Sequence, residues 1–362
     1  MRILIIGGGL TGLALANGLR HYGVDPVVVE QAPIITEAGW AIGLSPRHLA
    51  ALDRLGVTDR TAWPAYQAKR YLMFDAKAGL LDGIVTEAPL MFSRSALQLA
   101  LLDGVSDLVR TGVRPSDLND HGDRVDVEFD NGTSGTFDAV IGTDGIHSWT
   151  RHHVFGGPEA TYTGTSVVRF QAPSPDSSLS VAAMAAGGDD ATIAYFLVDG
   201  GKKMHGIVFL HGEEGNRAEL TPAELATLFP ELPGPLSLLT EVMRTNPESY
   251  FTGINQAVVD TWARNRVALA GDAAHAMSPV LGQGAGAGFE DAAMLAELLT
   301  TPGMAVATAL ASFERMRKPE AQALQRLSYE TSRMMTTTSA PSVIYAQRGN
   351  MPGGVQPRPT TR

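Results

Sequence analysis

The sequence predicts a mixed α/β fold, α+β overall, in which a parallel-sheet domain is interleaved with an antiparallel sheet. Three observations predict it. Residues 2–6 form a short apolar run that ends in the glycines Gly7, Gly8 and Gly9. A helical segment follows, and then a second apolar run that stops at Glu30. Residues 162–210 instead hold several β-rich runs separated by turns. The first two features describe a βαβ unit with a strand covered on both faces, and the third an antiparallel block.

Taken in order, residues 2–6 (Arg-Ile-Leu-Ile-Ile) read as a buried strand. From Thr11 to Tyr22, Leu13, Ala16, Asn17 and Leu19 recur at helical spacing, and Gly23 closes the helix as a C-terminal cap. Pro26 to Glu30 returns to strand, while Arg47–Leu55 and Arg94–Leu102 read as helices. Val125–Phe129 alternates polar and apolar, Asn131-Gly132 is a hairpin turn, and Phe137–Gly142 is expected as the returning strand. Ser166–Phe170, Ala191–Val198 and Met204–Leu210 supply the antiparallel runs. Val267–Ala270 is another buried strand, and the glycine-rich Gly282–Gly288 leads into a helix through Leu299. A helix from about Ala305 to Met335 is expected to carry Glu314, Arg315, Arg317 and Lys318 on a solvated face. Residues 336–362, rich in Thr, Ser, Pro and Gly, read as an extended or mobile tail.

Composition narrows the function classes. The chain of 362 residues is long enough for one large or two interleaved domains with a sizeable buried site. Its formal net charge of -10, with no Lys/Arg run, argues against a nucleic-acid partner. The absence of cysteine excludes disulfides, thiolate metal sites, cysteine nucleophiles and attachment of a cofactor through sulfur, and no metal site is expected. Glycines interrupt the apolar start, and no uncharged run reaches bilayer length, so a cytoplasmic protein without stable membrane insertion is expected.

Gly7, Gly9 and Gly12 form G-x-G-x-x-G between a strand and a helix, with Glu30 ending the next strand. This is the dinucleotide fingerprint in its Rossmann-like context. Gly7 permits the tight turn, Gly9 lets a pyrophosphate approach the backbone, and Gly12 lets the helix pack on the strand. The helix start, with Leu10 and Thr11, offers N–H groups and a positive dipole end to phosphates. Glu30 is placed for ribose hydroxyls, the alternative being a strand cap. The fingerprint alone does not separate FAD from NAD.

Two further stretches are Gly142-Thr143-Asp144-Gly145-Ile146-His147-Ser148 with Arg151, and Gly271-Asp272-Ala273-Ala274-His275 continuing through Pro279, Gly282, Gln283 and Gly284 to Glu290-Asp291-Ala292. Together with the fingerprint they resemble the signatures of the para-hydroxybenzoate hydroxylase-type FAD-dependent monooxygenases, in order along residues 1–330. The resemblance implies that Arg94 contacts the FAD phosphate and ribityl region, with Gln98 one turn on. It implies that Asp272 accepts ribityl hydroxyls, a helix cap being the alternative. Asp144 and Arg151 are linked to FAD and NAD(P)H handling, although Asp144 equally suits its own turn. Gly282, Gln283 and Gly284 would turn N–H groups toward the pyrimidine side of the flavin. The loop from Pro279 to Gly284 resembles the oxygen-reacting side, and His275 is expected to be structural. The chain departs from the pattern at Ala276, where proline is usual, and at Val167-Val168-Arg169-Phe170, where Trp-Arg-Gly is common. Arg169 is retained and would approach flavin or substrate, or else be a sheet-surface charge.

The resulting expectation is an FAD-binding domain from residues 1–70, 91–160 and 256–335, a substrate domain from 71–90 and 161–255, and the tail. No second fingerprint serves a nicotinamide, so NADH or NADPH would visit transiently as reductant. O2 would then add to give a flavin C4a-hydroperoxide, which hydroxylates a small aromatic, heteroaromatic or polyketide-like molecule. A flavin oxidase, reductase or cyclase on the same fold stays open, as does a non-enzymatic flavin protein. Monomer and homodimer both remain open.

Overall fold

The structure, a computed structural model, describes residues 1–35, 40–60, 63–75, 79–85, 89–174, 181–186, 191–229, 231–232, 237–245, 249–334 and 355–357. In chain order its first half runs β1 (Ile3–Ile6), α1 (Leu10–His21), β2 (Val27–Glu30), β3 (Ala41–Leu44), α2 (Pro46–Arg54), β4 (Tyr66–Gln67), β5 (Arg70–Asp75), β6 (Gly79–Val85), β7 (Leu90–Ser93), α3 (Arg94–Asp103), β8 (Val109–Thr111), β9 (Pro115–Asp120), β10 (Val125–Phe129), β11 (Ser134–Phe137) and β12 (Ala139–Gly142). The second half runs α4 (Trp149–Phe155), β13 (Thr161–Pro173), β14 (Val181–Ala186), β15 (Ala191–Val198), β16 (Lys203–His211), α5 (Pro222–Ala226), α6 (Ser237–Thr245), β17 (Ser249–Gln256), β18 (Ala263–Arg264), β19 (Val267–Leu269), α7 (Asp272–His275), α8 (Gly284–Thr300), α9 (Val306–Met334) and β20 (Val355–Pro357).

The six-stranded sheet has the order β18-β19-β12-β1-β2-β8 and is parallel except at β18. Its central strands β1, β12 and β19 are apolar on both faces because both are covered. Ile3 and Ile5 point into the core that holds α1 and α8, while Leu4 and Ile6 point to the hairpin residues Val125, Val127, Phe129 and Phe137. The hairpin differs from the expectation drawn from Phe137–Gly142. Its returning strand is β11, and the chain then leaves it at Asp138 to enter the parallel sheet as β12. The Asp138 N–H donates to the Arg2 carbonyl (2.8 Å), and Asp138 Oδ2 accepts the Arg2 N–H (2.6 Å). That exchange hands one apolar run to two sheets.

The eight-stranded sheet has the order β17-β13-β16-β15-β14-β5-β6-β20 and is antiparallel except for the β14–β5 pair. That pair runs parallel where strands from two separate stretches of the chain meet. One face, with Val168, Phe170, Ile193, Tyr195, Val208 and Leu210, packs on Leu225 and Ala226 of α5 and Val242 and Met243 of α6. Of the expected tail, only Val355–Pro357 lies among the described residues, and it pairs antiparallel with β6. Among the described residues no helix is long and apolar enough to cross a membrane.

Candidate functional site

Three chain segments converge at the carboxyl ends of β1, β12 and β19, the place where open α/β sheets bind ligands. The first is the glycine turn. Gly7 has φ +110°, a conformation that excludes side chains, and its N–H donates to the Val29 carbonyl at 2.8 Å. A Cβ at Gly12 would stand 2.0 Å from the Gly7 carbonyl oxygen and 2.6 Å from Thr143 Oγ1, so α1 rests directly on the turn and on the second segment. A Cβ at Gly9 would meet nothing within 4 Å. Glu30 accepts the Gly8 N–H through Oε2 (2.7 Å) and the Ala32 N–H through Oε1 (2.8 Å). Gln98 is buried, and its Nε2 donates to the Gly8 carbonyl at 3.0 Å, bracing the same turn from α3. Arg94 opens that helix after the cap residue Ser93, and its N–H donates to the Trp40 carbonyl.

The second segment is held by Asp144. Ser148 Oγ donates to its Oδ1 (2.5 Å), and the Thr150 N–H (2.8 Å) and Oγ1 (2.9 Å) donate to its Oδ2. Burial pushes the Asp144 pKa up, and these hydrogen bonds oppose it. Its carboxylate therefore organises its own turn. Arg151 is fully buried and donates to the carbonyls of Pro158 (3.0 Å), Ala273 (3.1 Å) and Ile146 (2.5 Å). It ties the second segment to the third.

In the third segment Gly271 has φ +60° and precedes α7. Thr11 Oγ1 lies 2.5 Å from where a Cβ of Gly271 would be and 2.3 Å from that of Gly288, so Leu10-Thr11-Gly12 touches both later segments. Asp272 is exposed, with no hydrogen bond among the described residues, and its Oδ1 lies 3.9 Å from the Cβ position of Gly284. Pro279 begins a short 3-10 turn, and Gly282 follows it at φ +66°. Gln283 then caps α8, its Nε2 donating to the Leu281 carbonyl.

Behind this surface lies a buried charge network. His275 and Asp291, both fully buried, meet at 2.5 Å between Nε2 and Oδ2. Arg317 Nε donates to Asp291 Oδ1 at 2.9 Å, and Arg317 also pairs with Glu290 (3.0 Å) and Glu320 (2.7 Å). Arg47 joins through both of those glutamates. Burial disfavours the His275 imidazolium, yet the charge and hydrogen bond of Asp291 hold its pKa above the usual value. Burial likewise opposes the Asp291 carboxylate, and His275 and Arg317 hold its pKa down. Arg317 is only 3% exposed, which corrects its expected place on a solvated face of α9. A single charge was read as solvent-facing, but Asp291 and Glu290 on α8 supply buried partners.

The second face of the eight-stranded sheet carries Arg169. By register it stands beside Ile207 of β16 and Tyr250 of β17. Among the described residues its guanidinium has no ion pair, and burial lowers its pKa. His205, two places before Ile207 on β16, is buried, with Nδ1 lacking a hydrogen-bond partner among the described residues; burial pushes its pKa down to about 4. Trp40 meets the His205 ring edge-on with centroids 6.0 Å apart. Thr192 Oγ1 on β15 is also buried without a partner among the described residues.

The chain matches the FAD binding domain family over residues 1–328. It belongs to that family. It is 30% identical over 348 residues to 3-amino-4-hydroxybenzoate 2-monooxygenase PtmB3 of Streptomyces platensis, covering 91% of this chain and 87% of that one. It is 28% identical to 6-hydroxynicotinate 3-monooxygenase of Pseudomonas fluorescens, covering 92% of each. Its fold matches the crystal structure of Klebsiella pneumoniae HpxO complexed with FAD and uric acid, with a TM-score of 0.84, 24% identity, and coverage of 96% of this chain and 92% of that one.

The chain is thus an FAD-dependent monooxygenase. The site's shape admits FAD: the space over Gly9 is open, the first turn of α1 offers its N–H groups, and each Glu30 oxygen keeps a lone pair beyond its one N–H. Sequence reasoning missed Asp291, Arg317 and Arg47 as a network. The adjacent acids Glu290-Asp291 in the middle of a helix that is otherwise glycine, alanine and apolar residues up to Leu295 were the available signal. It also missed His205 and Thr192, for which residue type and spacing carry no mark.

Proposed function

We propose that the chain hydroxylates a small, electron-rich aromatic or heteroaromatic ring that bears a hydroxyl and a carboxylate. The balanced reaction is NAD(P)H + H⁺ + O2 + Ar–H → NAD(P)⁺ + H2O + Ar–OH. The observation that carries this reading is the convergence of the three segments on Thr11 and Gly12, with Arg169, which has no ion pair among the described residues, on the sheet beyond. The two curated relatives named above support it, since each is named for a hydroxylated aromatic carboxylate.

In this reading the first turn of α1, at Gly9, Leu10, Thr11 and Gly12, holds the pyrophosphate, and Gly7 supplies the turn before it. Glu30 takes the ribose hydroxyls; Arg94 and Asp272 hold the phosphate–ribityl stretch. Gln98 and Asp144 keep their turns in shape. Gly282, Gln283 and Gly284 present N–H groups to the flavin edge, where they favour negative charge. Arg169 takes the substrate carboxylate as a cation without an ion pair among the described residues. Pro279 walls the oxygen-reacting side against water. When bound, FAD accepts a hydride from NADH or NADPH and delivers one atom of O2 to the ring. Residues 1–70, 91–160 and 256–335 form the FAD-binding domain, residues 71–90 and 161–255 the substrate domain, and the protein works in the cytoplasm as a monomer or homodimer.

Candidate hydroxybenzoates and hydroxypyridine carboxylates are screened for stimulation of NADH and NADPH oxidation, and the active one is incubated under oxygen-18 gas. The product gains one labelled atom. A turned-over product without label moves the protein to the oxidase, reductase or cyclase class. FAD retention without any stimulated oxidation moves it to the non-enzymatic class.

A further inference from the structure

Buried charged groups that the reading above leaves without a task gather around Asp291. Its Oδ2 accepts two donors, the Gly271 N–H at 3.0 Å and His275 Nε2 at 2.5 Å. Those residues lie just before and three residues after Asp272. Asp291 therefore grips both ends of the short turn whose exposed member is Asp272. The same turn is fixed at its middle by Arg151, which donates to the Ala273 carbonyl, and on its flank by Trp262, whose ring lies 5.1 Å from that of His275. Asp272 is the one side chain of the turn left facing outward.

The position of Asp291 on its own helix matters equally. Gly284, Gly288 and Asp291 are spaced i, i+4 and i+7, so they share one face of α8, with Asp291 about 10 Å along the axis from the helix start. Gly288 rests on Thr11 Oγ1. Arg317 bonds both Asp291 Oδ1 and the Ala287 carbonyl, and so locks this face from α9. A buried pair of this kind adds little stability over an apolar pair of equal volume. It does fix one distance, that between the α7 turn and the first turn of α8.

We propose that Asp291 is a positioning residue of the FAD site: by bonding Gly271 and His275 it holds Asp272 against the first turn of α8, and FAD affinity and potential depend on it through Asp272. This rests on reading Asp272 and Gly284 as flavin contacts.

The test is a double-mutant cycle read by FAD dissociation constant, flavin visible spectrum and midpoint potential, with apoprotein melting followed alongside. Asp272→Asn and Asp291→Asn each weaken FAD by about tenfold, the scale of one charge-assisted hydrogen bond. Because one acts through the other, the double variant loses no more FAD than the worse single one. His275→Gln, which keeps an N–H toward Asp291, holds FAD within about threefold of the parent and keeps its spectrum. If Asp291→Asn fails to fold, the cycle is closed with His275→Ala and Asp272→Asn. Losses that multiply overturn the proposal. So does an Asp291→Asn protein that melts lower but binds FAD with parental affinity and potential. Parental affinity in Asp272→Asn overturns the flavin-contact reading itself, independently of any result on hydroxylation.

Discussion

Asp291 Oδ2 and His275 Nε2 meet at 2.5 Å with neither side chain reached by solvent. The pair stabilises the fold within a pH window set from both sides. The raised His275 pKa contributes stability that is complete below its ordinary value of 6.5 and is lost as pH rises through the folded value. The lowered Asp291 pKa contributes stability that is complete above its ordinary 3.8 and is lost as pH falls through the folded value. His275→Ala should cost about 3–5 kcal/mol near neutral pH, because it leaves a buried carboxylate short of a partner. Thermal melts of the apoprotein across pH check this: the parent's alkaline decline should flatten in the variant. An unchanged decline would assign it to another group.

His205 works in the opposite sense. Burial pushes its pKa from 6.5 down to about 4, so the unfolded chain binds a proton that the fold refuses. Stability is complete above pH 6.5 and falls as pH drops toward 4, by roughly 3 kcal/mol for a shift of this size. Replacement by leucine should remove most of that acid-side loss. Denaturant melts of parent and variant at matched pH values compare the slopes, and equal slopes would show that His205 charges in the folded state without penalty.

Glu30 holds the Gly8 and Ala32 N–H groups, at 2.7 and 2.8 Å. Its loss should therefore act twice, once on the glycine turn and once on the bound adenosine. Glu30→Ala should weaken FAD binding by about 1–3 kcal/mol. Glu30→Gln keeps one acceptor and should lie between parent and alanine variant. Fluorescence titration of apoprotein with FAD measures both, and full retention by the alanine variant would reduce Glu30 to a strand cap.

The central strands of the parallel sheet were legible because β1, β2, β12 and β19 are apolar runs that lead into glycines or end in an acid. β1, α1 and β2 fall within a few residues of their expected bounds. The short strands β3, β7 and β8 were not legible, since three or four residues carry no period. The run Phe137–Gly142 misled for a different reason: its apolar pattern is continuous, and only the Asp138–Arg2 exchange shows where one sheet stops and the next begins. At the site, motif spacing found the glycines and Asp272, which the structure brings together at the carboxyl ends of β1, β12 and β19. It did not find the network behind them, because Arg317 reaches Asp291 from 26 residues away and no local pattern records that distance.

Two glycines of one motif should fail in different ways, because one has open space above it and the other does not. Gly9 has φ -76° and ψ -175°, which alanine adopts freely, and a Cβ there meets nothing within 4 Å. Gly9→Ala should leave apoprotein stability within about 0.5 kcal/mol of the parent. Its methyl group would occupy the approach of the pyrophosphate, so FAD affinity should fall sharply. At Gly12 the added Cβ would stand 2.0 Å from the Gly7 carbonyl oxygen, and neither backbone can retreat without parting α1 from β1. Gly12→Ala should therefore destabilise the apoprotein itself, by about 1–3 kcal/mol, before any cofactor is added. Apoprotein melts and FAD titration of the two variants, run side by side, separate the effects. A Gly9→Ala protein that binds FAD as the parent does would remove Gly9 from the ligand's path, and a Gly12→Ala apoprotein of parental stability would mean that the helix can shift to admit the methyl.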